Sequence, residues 1–395
     1  MKLILLACIF AIVLGSLSFV FVPPQDGAGN LAQANASFAV KQADSLTVLP
    51  QDDERLLPSA VFLDKELSME EQIGQMMMIG FEGTHVTSEL EELFARVKPG
   101  GVLLLGRNLV DENQTKQLIE DLQAISLKYI GIPLWVAIDQ EGGVVTRLWW
   151  TQETTPQRQL DSFEETLKVG RRRAKELKEL GINMNLAPVL DSANEDDYLF
   201  SRSFQKDPAQ SARLAKILIA AHRMEGVEAV LKHFPGYDGI SINPETTIIP
   251  RQTAMPDTVV FADVLDDTNS NFVMVAHVIY EDVDPLFPFP LSRQGGLILR
   301  ERLGPNALVI GDDLLSRAFV AHYTLGQIAQ NVLNGQVDIL LASGHSQSSY
   351  ISSFYENLVG TAKEDLHVQS RVKEASGKIL AAKKEMFGAG GDLGE

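Results

Sequence analysis

The sequence predicts an α/β fold, a (β/α)8 TIM barrel preceded by an N-terminal signal or anchor helix and a linker. Three observations predict it. Short apolar runs alternate with longer amphipathic segments from residue 55 onward, the pattern of a parallel sheet with crossover helices. The runs that read as strands number eight. Polar residues collect directly after them, as they do at the C-terminal mouth of a barrel, where chemistry gathers. A doubly wound sheet is the alternative arrangement of the same repeats. With 395 residues, 45% hydrophobic and 22% charged, the chain can bury an ordinary core without disulfide staples.

Taken in order, the first element is the uncharged apolar run 3–22 (LILLACIFAIVLGSLSFVFV), preceded only by Met1 and Lys2. About 20 apolar residues suffice to cross a hydrocarbon core. The run therefore reads as an uncleaved membrane anchor, with a signal peptide cleaved near Ala32-Gln33-Ala34 or Ala34-Asn35-Ala36 as the alternative. Lys2 before it and Asp26 after it leave the N-terminus in the cytoplasm and carry the remainder outside. The single cysteine, Cys8, lies inside this run, so the exported part can form no disulfide of its own. Residues 23–54 are small, polar and turn-rich, a linker, and residues 389–395 form a short tail.

Strands are predicted over 75–80 (QMMMIG), 101–106 (GVLLLG), 134–139 (LWVAID), 182–189 (INMNLAPV), 228–233 (EAVLKH), 272–277 (FVMVAH), 307–311 (ALVIG) and 338–343 (DILLAS). Apolar spacing predicts helices over 88–97, 112–128, 162–180, 208–224, 294–303, 318–333 and 349–362, the third opened by a capping box of Ser162 and Glu165. Only the segment between the fifth and sixth strands lacks a helical pattern. Met76-Met77-Met78 reads as core filling, and Arg171-Arg172-Arg173 as a solvated helix face.

Charge narrows the function. Lys and Arg number 34 against 52 Asp and Glu, a formal charge of −18, which repels phosphate backbones and anionic headgroups. Nucleic acid is excluded as a partner, and membrane contact is confined to the N-terminal run. No GxxxxGK[ST], GxGxxG or HExxH motif occurs, and Gly80-Phe81-Glu82-Gly83 carries no paired histidines, so neither a metal nor a cofactor is expected. Gly344-His345-Ser346-Gln347-Ser348 lacks the last glycine of a nucleophile elbow. What remains is the set at the strand ends: Asp139-Gln140-Glu141, Lys232-His233, His277 and Asp312-Asp313. The third- and fifth-strand ends alone, Asp139-Gln140-Glu141 and Lys232-His233, bring two acids, an amide, a cation and an imidazole around one opening, a set that suits the hydroxyls of a sugar. Adjacent residues on a strand face opposite ways, so one of Asp312 and Asp313 enters the site while the other caps the following helix.

Eight ordered motifs carry a resemblance: Gln72-Ile73-Gly74-Gln75-Met76, Pro99-Gly100-Gly101-Val102, Asp139-Gln140-Glu141-Gly142-Gly143, Ala187-Pro188-Val189-Leu190-Asp191, Ser201-Arg202-Ser203-Phe204, Lys232-His233-Phe234-Pro235-Gly236, Ala276-His277-Val278 and Gly311-Asp312-Asp313-Leu314. Residues 66 to 345 resemble glycoside hydrolase family 3, in particular its single-domain β-N-acetylglucosaminidase (β-hexosaminidase) branch. The resemblance implies a (β/α)8 barrel over 55–388, with Asp312 as the nucleophile of a retaining mechanism. Asp139, Arg147, Arg202, Lys232 and His233, with His277, would match sugar-binding positions.

The sequence departs from the family on the loop after the fifth strand. Where the branch has an Asp-Ser-His element supplying its acid/base, this chain has Asn243-Pro244-Glu245; Tyr237 replaces a second histidine, and Val144 replaces an arginine. Three outcomes are open. Glu245 is the acid/base; or another group such as Asp238 or Tyr237 serves; or the loop has lost the role and the domain is a glycan-binding pseudoenzyme. The expectation is a retaining hydrolase acting outside the cytoplasm on terminal β-linked N-acetylhexosamine or a related β-glycoside, with cell-wall glycan as its substrate source. A structural surface protein is the remote alternative.

Overall fold

Parallel strands covered on both faces read as unbroken apolar runs, and the core sheet has this form. The computed structural model describes residues 66–388 apart from 269, 345 and 346. The run 3–22, the linker 23–54, the tail 389–395 and His345 lie outside the described residues. Nine segments form the parallel core: β1 (Met77–Ile79), β2 (Gly101–Leu104), β3 (Trp135–Ile138), β4 (Met184–Asn185), β5 (Glu228–Ala229), β6 (Leu231–Phe234), β7 (Phe272–Val275), β8 (Leu308–Gly311) and β9 (Leu340–Ala342). Six pair in the order β9-β1-β2-β3-β4-β5 and three in the order β8-β7-β6.

Two isolated parallel bridges join these sheets, one between Val189 and Lys232 of β6, the other between Ile310 of β8 and Ile339 ahead of β9. Leu190 N donates to Lys232 O at 2.6 Å and Lys232 N to Pro188 O at 3.1 Å on one seam; Gly311 N donates to Ile339 O at 2.9 Å and Asp338 N to Val309 O at 2.8 Å on the other. β5 and β6 are halves of one predicted strand, separated by Val230. Each of the eight predicted strands thus pairs with its neighbours in sequence, and the last with the first. The fourth is shorter than expected, two residues long.

The helices are α1 (Met69–Met76), α2 (Ser88–Val97), α3 (Glu112–Tyr129), α4 (Phe163–Glu179), α5 (Pro208–Met224), α6 (Val259–Thr268), α7 (Arg293–Leu303), α8 (Arg317–His322), α9 (Leu325–Asn334), α10 (Ser348–Glu364) and α11 (Leu366–Gly388). Several differ from expectation. α1, opened by a capping box of Ser68 and Glu71, absorbs the first two residues of the first predicted strand. α6 fills the gap where no helix was expected; Phe261, Val264, Leu265 and Thr268 bury one face, a spacing masked by its β-branched start. The predicted helix 318–333 is two, because Thr324 opens a new capping box with Gln327.

α11 was not anticipated at all. Its Arg371 and Lys378, with Arg300 of α7, surround buried Asp338 ahead of β9. Its Phe387 meets Trp135 at 5.6 Å between ring centroids, and Trp135 in turn meets Phe272 edge-on at 5.5 Å. Trp135, Phe272 and Asp338 all lie at or ahead of N-terminal strand ends, so α11 closes the end of the sheet opposite Asp139 and Asp312. No helix among the described residues is long and apolar enough to cross a membrane.

Candidate functional site

Asp139 follows β3 directly, and the next residues fold back as a short antiparallel hairpin, Gln140–Gly142 with Val145–Thr146. The turn needs glycine: Gly142 has φ +86, and a Cβ there would stand 2.2 Å from Thr155 O. Buried Gln140 stitches the return, its Oε1 accepting from Arg147 N at 2.9 Å and Leu148 N at 3.1 Å. This brings Arg147 Nη2 to 3.6 Å from Asp139 Oδ2.

Behind the hairpin stands Arg173 of α4. It is buried rather than solvated, which corrects the sequence expectation, and it donates to Glu141 O at 2.8 Å and Thr155 O at 2.6 Å. The unmet carbonyls of the turn explain why a charged helix residue faces inward.

Lys232, 1% exposed at the centre, lies 2.9 Å from Asp139 Oδ1 and 2.7 Å from Glu141 Oε1. Arg202 grips Glu141 through both ends, Nε to Oε2 at 2.9 Å and Nη2 to Oε1 at 2.7 Å. Burial alone would raise the Glu141 pKa, but the Lys232 and Arg202 charges outweigh it and hold the carboxyl at about 2. Burial likewise opposes the charge on Lys232, and Asp139 and Glu141 outweigh it, keeping its pKa above the usual lysine range. Asp139, Arg147, Arg202 and Lys232 are therefore brought together as one charged network.

A second group is built on Asp191, which follows the bridge residue Val189. Its Oδ2 accepts from His233 N at 2.9 Å and lies 2.8 Å from His233 Nδ1, while Oδ1 accepts from Tyr237 N at 2.8 Å. A carboxylate only accepts, so Nδ1 carries the proton and a neutral His233 keeps Nε2 as an acceptor. Asp191 and Arg173 are supports that sequence reasoning left without a role, the first standing inside a quoted motif, which was the available signal; Glu141, counted there among the strand-end acids, is taken up by Arg202 and Lys232.

Asp312 follows β8. Its Oδ1 accepts from Asp313 N at 2.9 Å and its Oδ2 from the Tyr237 hydroxyl at 3.2 Å. Burial pushes its pKa up, but the His277 and His233 rings, the Asp313 N–H and Lys232 together hold it below the ordinary aspartate value. Asp313 turns away, accepting from Leu315 N, Ser343 N and the Ser343 hydroxyl at 2.9–3.0 Å. It ties the turn to the end of β9 and does not cap α8 as expected, because Ser316 holds that N-cap and accepts from Phe319 N. His277 is wholly buried with its ring 4.2 Å from that of Phe319, and its backbone N donates to the Tyr237 hydroxyl at 2.7 Å. Burial lowers its imidazole pKa, outweighing the Asp312 charge and backbone, which act to raise it.

Glu245 lies on the loop after β6, exposed, with its N donated to Asn243 Oδ1 at 3.0 Å. Crowding by the surrounding protein, then the charges of Asp312, Asp313 and Asp139, push its carboxyl up to about 8. Its solvent access screens both effects in part. Asp238 is also raised, to about 7, by burial and then by Asp191 and Asp197. Its charged neighbours lie on the Asp191 side, whereas those of Glu245 are Asp312 and the Asp139 network. Tyr237 is buried and its pKa lies well above 10, through burial and then Asp312, so its hydroxyl keeps its proton.

Comparison with known proteins gives the family. Residues 68–382 match the family model described as the glycosyl hydrolase family 3 N terminal domain. The chain is 30% identical over 292 residues to a β-hexosaminidase of Alkalilimnicola ehrlichii, covering 69% of this chain and 81% of that one. To a β-hexosaminidase of Tolumonas auensis it is 29% identical over 278 residues, covering 67% and 82%. Among solved structures, a β-N-acetylhexosaminidase from Beutenbergia cavernae superposes with a TM-score of 0.74 at 29% identity, covering 80% of this chain and 99% of that one. A family 3 β-N-acetylglucosaminidase from Paenibacillus sp. gives a TM-score of 0.75 at 26% identity; it covers 84% of this chain, which spans only 64% of that protein.

Proposed function

The chain belongs to glycosyl hydrolase family 3, and on that premise we propose that it is a retaining glycosidase releasing terminal β-linked N-acetylhexosamine, or a related β-glycoside. The observation that carries this reading is the pairing of two carboxyl groups pushed apart in acidity, Asp312 held below the ordinary aspartate value and Glu245 pushed up to about 8, with the Asp312 charge among the causes of the second shift. The matching fold proposal is a closed (β/α)8 barrel, supported by the two bridges that join the strand groups.

In the first step an oxygen of Asp312 forms a bond to the anomeric carbon as the glycosidic bond breaks, and Glu245 gives its proton to the departing oxygen. Asp139, Arg147, Arg202, Lys232 and His233 hold the sugar's hydroxyls. Esterified Asp312 no longer carries charge, so one cause of the raised Glu245 pKa disappears, and the carboxylate left behind becomes a competent base. It takes a proton from water as the water oxygen bonds to the anomeric carbon and the Asp312 carboxylate leaves. In a substrate complex the two carboxyl groups should stand about 5–5.5 Å apart.

N-acetylhexosamine as the sugar and cell-wall glycan as its source are inferred from family analogy, and action outside the cytoplasm from the run 3–22. The test is hydrolysis of a panel of aryl β-glycosides by the full chain with Asp312→Asn as control. Turnover lost in the variant supports the reading and names the sugar. Sugar binding without turnover by the folded protein would leave the glycan-binding pseudoenzyme in its place.

A further inference from the structure

The Tyr237 hydroxyl has two neighbours within hydrogen-bond distance, His277 N at 2.7 Å and Asp312 Oδ2 at 3.2 Å. A backbone N–H can only donate, and a phenol has one hydrogen. The hydroxyl therefore accepts from His277 and gives its own proton to Asp312. Its backbone N is held by Asp191, and its ring lies edge-on to His233 at 5.0 Å and 75°. With Asp313 N on Oδ1, both oxygens of Asp312 are tied, and the plane of the carboxylate is fixed from two sides.

We propose that Tyr237 is the positioning residue for Asp312: its hydroxyl, polarised by the His277 N–H, orients the carboxylate toward the anomeric carbon and receives it again when the glycosyl-enzyme is hydrolysed. This rests on Asp312 being the nucleophile. Tyr237 keeps its proton throughout, so it is not the group that protonates the leaving oxygen. The contact has a kinetic sense. A hydrogen bond to an ionised acceptor is stronger than one to an ester oxygen. It therefore weakens as the ester forms and strengthens as the carboxylate departs, which favours the second chemical step.

The groups bearing on Asp312 are Lys232 and His233 on β6, His277 after β7, Asp313 beside it and Glu245 on the loop. Tyr237→Phe removes only the hydroxyl and keeps the ring against His233. The measurement is the 13C carboxyl titration of Asp312 in the full chain, identified by its loss in Asp312→Asn. The midpoint is expected to move to higher pH in Tyr237→Phe, because a donor to the charged form is gone. With activated aryl glycosides kcat should fall about 10–100-fold and KM fall with it, as the glycosyl-enzyme accumulates. Should the Phe variant not fold, 3-fluorotyrosine at position 237, a stronger donor of nearly the same shape, should move the midpoint down instead. An unmoved midpoint overturns the proposal. If the midpoint moves but the wild-type chain hydrolyses nothing, the positioning contact stands and the glycosidase reading falls.

Discussion

At the scale of single residues, the site works by separating the acidities of groups that share a type. Glu141 and Glu245 are both glutamates, yet two cations hold the first at about 2 while surrounding protein and facing carboxylates push the second up to about 8. Glu245→Gln should lower hydrolysis of substrates with poor leaving groups by about 10²–10⁴-fold and affect activated aryl glycosides much less. An unchanged ratio between the two substrate types removes Glu245 from the acid role. In the proposed mechanism the protonated form is the active one in the first step, so kcat/KM should fall as pH rises through about 8, and that alkaline limb should vanish in the Gln variant. Asp312 must be ionised, and its lowered pKa keeps the acidic limb below the usual aspartate range.

At the scale of elements, the hairpin after β3 and the helix α11 make opposite contributions. The hairpin positions chemistry: Gly142→Ala would place a Cβ 2.2 Å from Thr155 O at φ +86, and should cost about 2 kcal/mol or more in a urea melt while weakening sugar binding. α11 carries a cost of its own. Its Lys383 is fully buried with one partner, Gln75 Oε1 at 2.9 Å, and burial lowers its pKa from 10.5 to about 7. Between those values the unfolded chain binds more protons than the folded one, so stability rises with pH across that window. Lys383→Met should raise Tm most at or below neutral pH, with the gain shrinking toward pH 10; a gain independent of pH would refute this account.

At the scale of the whole molecule, parallel strands separate stability from chemistry by placing them at opposite ends. Asp139, His277 and Asp312 lie beyond C-terminal strand ends, with Lys232 inside β6 reaching Asp139, and Asp338, with Arg300, Arg371 and Lys378, at the other. Asp338→Ala would leave these cations without their buried counter-charge, a loss of about 3–5 kcal/mol. Its kcat/KM should equal the wild-type value wherever the variant is folded, which thermal melts and kinetics on one preparation would check.

Eight apolar runs and their polar ends were legible in the sequence because buried parallel strands must be continuous in apolar character, and because catalytic groups on such a sheet sit where strands stop. α6 and α11 were not legible, since weak or diffuse periodicity is overridden by packing against the sheet. The sequence alone determined which residues crowd the strand ends, the acidic charge balance, and that Asn243-Pro244-Glu245 stands where an acid/base loop is expected. Only the tertiary structure decided what each residue is bonded to. Lys232 meets a carboxylate 93 positions away, Arg202 one 61 away, and the Tyr237 hydroxyl reaches Asp312 across 75 residues. Acidity and hydrogen-bond direction are set by those neighbours through space, and local sequence carries no record of a distance that folding has yet to close.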